Sequence, residues 1–195
     1  PLASRGQHQR REWFGTACCP ANIARLVASL GDYIYAKSEN DIYVNLFVGS
    51  NTSIPLAKGK VDVKMETNYP WDGKVKIAIT PQQKKTTFKL HLRIPGWYNN
   101  GTVPGNLYEN AGADFSNPLV INVNGKPVVA ETKNGYISFD REWKQGDVVE
   151  FEFAMNTYTV AAKDSLKQDN NRIAIQRGPI VYCVEGADHN SKAWN

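Results

Sequence analysis

Phe88-Lys89-Leu90-His91-Leu92-Arg93-Ile94 decides the fold class. Phe88, Leu90, Leu92 and Ile94 fall on one side of a period of two, with His91 and Arg93 on the other. Successive side chains of a strand point to opposite faces, so this stretch reads as a β-strand with one buried and one solvated face. Comparable segments flank it at 33–36, 42–47, 61–65 and 75–79 on one side. On the other lie 119–123, 136–139, 148–153, 158–161, 173–175 and 180–184. Turn residues separate them: Ser38-Glu39-Asn40-Asp41, Pro70-Trp71-Asp72-Gly73, Asn124-Gly125, Asn134-Gly135 and Gln145-Gly146-Asp147. Short strands at such spacing, divided by hairpin signals, predict a mainly β chain folded as an antiparallel β-sandwich. Residues 99–117 carry no pattern and read as a long loop.

The character changes at about residue 31. Before it, Ile23, Leu26, Val27 and Leu30 recur at helical spacing, Pro20 suits the first helical position and Gly31 is a natural stop. One α-helix therefore precedes the sandwich. It is too short to be stable alone, so its apolar stripe needs a partner.

Composition excludes several classes. The 195 residues have the apolar content of an ordinary globular protein, without the bias of disorder, collagen or a coiled coil. Apolar runs such as 42–48 are far too short to cross a bilayer. The net charge of +4 is scattered through an interleaved mixture of both signs, whereas a nucleic-acid binder concentrates it on one face. Neither a nucleic-acid partner nor a membrane span is expected. The opening residues carry no signal-peptide pattern and read as the middle of a longer protein. Targeting is thus left open, with a bacterial-type cytoplasmic or periplasmic setting favoured over a membrane one.

The chemistry concentrates at Trp13-Phe14-Gly15-Thr16-Ala17-Cys18-Cys19-Pro20, which runs straight into the helix. Helix N-termini carry partial positive charge, which favours thiolate sulfur, and a thiolate is both a nucleophile and a metal ligand. Three cysteines with one adjacent pair are not a disulfide framework. A closed zinc site needs about four ligands, and spacing supplies no others: Cys183 reads as a small buried residue in a late strand, and His8, His91 and His189 lack ligand spacing. Spacing alone leaves a metal or catalytic role and a pair of buried structural thiols side by side.

Cys18-Cys19-Pro20 and its continuation Ala21-Asn22-Ile23-Ala24-Arg25-Leu26 resemble the β-L-arabinofuranosidases of glycoside hydrolase family 127, formerly the domain of unknown function DUF1680, and their relatives in family 146. The resemblance continues through Tyr33-Ile34-Tyr35, Tyr43-Val44-Asn45-Leu46-Phe47, Leu92-Arg93-Ile94-Pro95-Gly96-Trp97 and Gln176-Arg177-Gly178-Pro179. It implies an (α/α)6 catalytic barrel followed by β-sandwich domains. Residues 1–31 would be the last piece of that barrel, 32–168 the main sandwich and 169–195 the start of a second. It also implies a retaining glycosidase acting on arabinose-containing glycans. Cys18 would be the nucleophile, and Cys18 and Cys19 two ligands of a zinc cofactor. An upstream Glu and Cys would complete the metal site and another upstream Glu would be the acid/base. None of the three has a counterpart in these 195 residues, so the fragment by itself is expected to be inactive, with the missing barrel as its intramolecular partner. The competing expectation is a carbohydrate-binding or structural β-sandwich without chemistry of its own.

Other conspicuous residues have plain alternatives. Trp71, Trp97 and Trp143 stand near turns, where they could stack on sugars, although packing is the commoner role of large aromatics. Trp13 and Phe14 could line a pocket or pack. His8 and its neighbours Gln9, Arg10 and Arg11 read as a solvated charged segment. Asn51-Thr52-Ser53 and Asn100-Gly101-Thr102 match the glycosylation pattern, which is uninformative without a secretory context.

Overall fold

A computed structural model describes residue 15 and residues 18–99, 105–112, 119–129 and 131–183. The chain divides into two units, Pro1–Tyr33 and Ile34–Asn195.

The first unit carries helix α1, Cys18–Ser29. Pro20 is its third residue rather than its first. The substitution of an imino acid is equally harmless there, because the first four N–H groups of a helix have no internal partner. Gly31 does not simply end the helix. After Leu30 it opens a further short turn, α2 (Gly31–Ile34), tied by Tyr33 N donating to Leu30 O at 3.1 Å. The strand expected over 33–36 is therefore confined to β1, Tyr35–Lys37. No residue of α1 is buried: Ile23, Leu26 and Val27 are 64%, 58% and 67% exposed.

The second unit is built of strands. After β1 come β2 (Asp41–Val44), β3 (Ser50–Leu56), β4 (Gly59–Thr67), β5 (Lys74–Pro81) and β6 (Lys85–Arg93). Then follow β7 (Tyr108–Ala111), β8 (Ile121–Val123), β9 (Lys126–Val128), β10 (Thr132–Lys133) and β11 (Tyr136–Lys144). The series closes with β12 (Asp147–Glu152), β13 (Thr157–Ala162), β14 (Ile173–Arg177) and β15 (Ile180–Tyr182). They form a five-stranded sheet in the order β1-β2-β6-β11-β10, a six-stranded sheet β3-β4-β5-β12-β8-β9 and a four-stranded sheet β15-β14-β13-β7. The mainly β, antiparallel architecture expected from the sequence is observed, with one departure: β2 runs parallel to β6, Tyr43 opposite His91.

The alternation of β6 is realised as expected: Phe88, Leu90 and Leu92 are buried. They join Ile42 and Val44 of β2, Val61 and Val63 of β4, Ile77 and Ile79 of β5, and Val149 and Phe151 of β12 in one core. That core is drawn from the facing sides of the two larger sheets, the defining arrangement of a sandwich. At one end, Phe153 is fully buried among aromatic rings, 5.3 Å from Phe47, 5.8 Å from Trp97 and 5.2 Å from Tyr98, centroid to centroid. Tilted and edge-on pairs of this kind each contribute about 0.5–1.5 kcal/mol beyond their burial.

Two hairpins turn on the Asn-Gly pairs read from the sequence. Asn124 and Gly125 have φ of 54° and 74°, and Asn134 and Gly135 of 53° and 78°. Left-handed values at both central positions are what a tight two-residue hairpin requires. Asn124 also fastens the neighbouring turn: its Nδ2 donates to Asp147 Oδ1 at 2.8 Å, and Val148 N donates to its Oδ1 at 2.8 Å.

Four strands were not foreseen: the short β9 and β10, which flank the two Asn-Gly turns, and β3 and β7. β3 lies in a polar stretch, Ser50-Asn51-Thr52-Ser53, and β7 within the segment read as a loop. The third sheet joins β7 and β13 to β14 and β15, so it draws on residues from well before position 169.

Candidate functional site

Cys18 and Cys19 are the first two residues of α1. Both are free and exposed, and their sulfurs lie 3.6 Å apart. A disulfide would hold them at about 2.05 Å, so these are two separate thiols in contact. The first turn of the helix contains no acidic residue, so no carboxylate there offsets its partial positive charge.

The donor set suits zinc. Two thiolates on a tetrahedral zinc, each at about 2.3 Å, are separated by roughly 3.8 Å, close to the observed spacing. Softness fits as well, since thiolate sulfur favours zinc over the hard cations. Two sulfurs supply half of a closed coordination shell. Among the described residues no cluster of three or more His, Cys, Asp or Glu side chains could hold a metal ion.

Cys183 is exposed, which corrects the expectation of a small buried residue. It follows directly after β15, beyond the paired part of that strand. His8, Gln9, Arg10, Arg11, Trp13, Phe14 and His189 lie outside the described residues, as does the Asn100-Gly101-Thr102 sequence. Asn51 is exposed on β3.

The three tryptophans divide. Trp143 is fully buried and donates from Nε1 to Phe88 O at 3.0 Å. Trp97 is buried and donates to the Tyr69 hydroxyl at 3.0 Å. Both serve packing. Trp71 is 67% exposed.

A second polar constellation was not anticipated. His91 stacks face to face on Tyr43, with centroids 4.1 Å apart and planes 4° from parallel. Its Nδ1 lies 2.7 Å from the Ser138 hydroxyl, and its Nε2 is buried without a hydrogen bond to any described residue, 3.8 Å from Asp41 Oδ2. Burial pushes the imidazole below its usual range; Asp41 opposes this and Lys89 adds to it. Tyr136 packs edge-on to Tyr43, at 5.6 Å, and donates to Asn45 Oδ1 at 2.8 Å. Only the register of β2, β6 and β11 brings these residues together, with Tyr43 and Ser138 both opposite His91.

Among the described residues no helix is long and apolar enough to cross a membrane.

Known proteins agree with the sequence resemblance. Residues 41–155 match the family profile described as "Beta-L-arabinofuranosidase, GH127 middle domain", and residues 157–195 match the "Glycoside hydrolase family 127 C-terminal domain". The chain is 32% identical over 192 residues to the non-reducing end beta-L-arabinofuranosidase of Bifidobacterium longum subsp. longum, covering 95% of this chain and 26% of that protein. A solved GH127 beta-arabinofuranosidase superposes with a TM-score of 0.86 at 40% identity, over 93% of this chain and 28% of the other. The GH127 beta-L-arabinofuranosidase of Geobacillus stearothermophilus T6 gives 0.77 at 36% identity, over 93% and 26%. The chain thus spans about a quarter of the length of these relatives. With the middle-domain profile covering more than half of it, the chain belongs to glycoside hydrolase family 127.

Proposed function

We propose that this chain is the C-terminal portion of a retaining glycoside hydrolase that acts on β-L-arabinofuranosides, with Cys18 as its nucleophile. The observation that carries the reading is the pair of adjacent thiols, 3.6 Å apart at a helix N-terminus. The exposed apolar side chains Ile23, Leu26 and Val27 on the same helix support it. They suit a helix whose packing partners belong to a catalytic barrel outside these residues, and a self-contained binding module would bury them. Residues 1–31 are then the end of the (α/α)6 barrel, 32–168 the main sandwich and 169–195 the start of a second, whose sheet also takes in β7 and β13.

Cys18 and Cys19 would be two of the zinc ligands, the others coming from the barrel. Zinc, when bound, would keep the sulfur deprotonated at neutral pH. The Cys18 thiolate attacks the anomeric carbon of the arabinofuranoside. The bond from that carbon to the departing oxygen breaks, and a carboxylic acid of the barrel protonates the oxygen. A C–S bond to the sugar has formed, with inversion. The same carboxylate then takes a proton from water, which displaces the Cys18 sulfur with a second inversion, so configuration is retained overall. Two carboxyl groups usually share this work; here the sulfur replaces the nucleophilic one.

In the intact enzyme, Cys18→Ser is expected to lower kcat by about 10⁴ or more, the scale seen when a nucleophile is removed. Turnover of a chromogenic β-L-arabinofuranoside measures it. Activity within tenfold of the parent removes Cys18 from the role.

A further inference from the structure

The two Asn-Gly hairpin turns share one local sequence signal, yet their asparagines are held very differently. The Asn124 carboxamide is engaged at both ends: Nδ2 donates to Asp147 Oδ1, and Oδ1 accepts from Val148 N, each at 2.8 Å. Asn124 N also donates to Val148 O at 2.9 Å. Asp147 is buried, and its Oδ2 accepts from Lys144 N at 2.9 Å. Asn124 is thus fastened to a neighbouring turn that is itself fixed. Asn134 is exposed, and its carboxamide has no hydrogen bond among the described residues. It follows β10, two exposed residues that pair only with β11 among the described residues. Outside that short ladder, Ile94 N donates to Gly135 O at 2.8 Å.

An asparagine followed by glycine carries a latent internal reaction, because a residue without Cβ leaves its backbone nitrogen open to approach. The Gly nitrogen attacks the carbonyl carbon of the Asn side chain. A new C–N bond forms, the bond to the side-chain nitrogen breaks, and the Gly amide proton leaves with the departing ammonia. Water then opens the cyclic imide. Opening at the side-chain carbonyl gives Asp. Opening at the main-chain carbonyl gives isoaspartate, with an extra carbon in the main chain. Water is the sole co-reactant. Attack needs a carboxamide free to swing onto the Gly nitrogen and a turn that opens locally, as short and exposed edges do most readily. Asn134 meets both conditions, and Asn124 meets neither.

We propose that Asn134 is a site of spontaneous deamidation, and that Asp147 and Val148 protect Asn124 from the same reaction. A carboxylate at 124 would face the buried carboxylate of Asp147, whereas one at 134 follows Lys133 on an exposed turn. Isoaspartate at 134 places its extra carbon inside the β10–β11 hairpin. It draws Gly135 O away from Ile94 N, where β6 gives way to Ile94-Pro95-Gly96-Trp97. The third pair, Asn100-Gly101, lies outside the described residues and has no part in the comparison.

The test is incubation of the full chain in mildly alkaline buffer, with peptide mapping by mass spectrometry at successive times. Conversion of amide to acid is read separately at each asparagine, and isoaspartate is identified by its backbone fragmentation. Deamidation at Asn134 is expected to run at least tenfold faster than at Asn124. In denaturing urea, where only local sequence acts, the two rates should converge to within threefold. Asn134→Gln should abolish the signal from that peptide and leave Asn124 as slow as before. The proposal fails if Asn134 stays unmodified, if the ratio in the folded chain is under tenfold, or if urea leaves that ratio unchanged. The comparison of folded with unfolded parent needs no variant to fold, and its outcome is independent of whether Cys18 is the nucleophile.

Discussion

His91 stands on the outer side of β6, yet its ring is almost enclosed by Tyr43, Ser138 and Tyr136. Desolvation holds its pKa below the ordinary value, partly offset by the Asp41 carboxylate and reinforced by Lys89. The unfolded chain takes up this proton near pH 6.5, about the value for a free imidazole. The folded state takes it up at a lower pH, so the unfolded state binds more protons in between. The contribution is therefore complete above about pH 6.5 and is lost as the pH falls through the folded value. His91→Gln removes this titration. The stability advantage of the parent over His91→Gln should shrink between about pH 7 and pH 5, as read from urea midpoints. Parallel pH profiles for the two proteins would contradict the assignment. Nothing in the local sequence marks this row. Tyr43, His91 and Ser138 each read as an outward residue of its own strand, and only cross-strand register makes them neighbours. The thiol pair, by contrast, was legible, because Cys18 and Cys19 are neighbours in the chain and their helix is set by local periodicity.

Elements whose causes are local were read well, and those set by distant partners were not. Asn124-Gly125 announces its own turn. β3 escaped because among the described residues it is an edge strand, bonded only to β4, so Pro55 and a run of polar residues are tolerated. β7 is likewise an edge among the described residues, paired there only with β13. The parallel pairing of β2 with β6 joins residues nearly fifty positions apart, and no spacing rule reveals it. Gly73 shows the same limit. It reads as the end of a turn, but its carbonyl accepts from Phe153 N at 3.0 Å, and a Cβ at Gly73 would collide with the backbone of Phe153. Phe153 cannot yield, being wedged among Phe47, Trp97 and Tyr98. Gly73→Ala is therefore expected to cost about 1–3 kcal/mol, the scale of overpacking in a filled core. Gly125→Ala meets no atom within 4 Å and suffers only from its left-handed backbone, at about 1 kcal/mol. Urea midpoints for the two variants should fall in that order. Gly73→Ala within about 0.5 kcal/mol of the parent would show that the Phe153 backbone can move.

At the level of the whole molecule, the sheets and the thiols make different demands. The sandwich is internally complete: its two larger sheets close over one core, and its exposed ion pairs, Lys64 with Glu66 and Lys85 with Glu142, belong to an ordinary solvated surface. The thiols are not complete. A zinc held by Cys18 and Cys19 alone would have two protein ligands where stable sites have three or four, on a helix with no buried residue. The attacking sulfur would also have no acid at hand, since no general acid/base is assigned among the described residues. The 195-residue chain is therefore expected to lose zinc on desalting and to release no arabinose from a chromogenic β-L-arabinofuranoside, while its β-sheet circular dichroism is unaffected by chelator. Elemental analysis and the chromogenic assay, run on one preparation, measure both. Zinc at one equivalent together with turnover would mean that this chain holds the missing ligands and the acid itself, and the division of labour between sandwich and barrel would have to be redrawn.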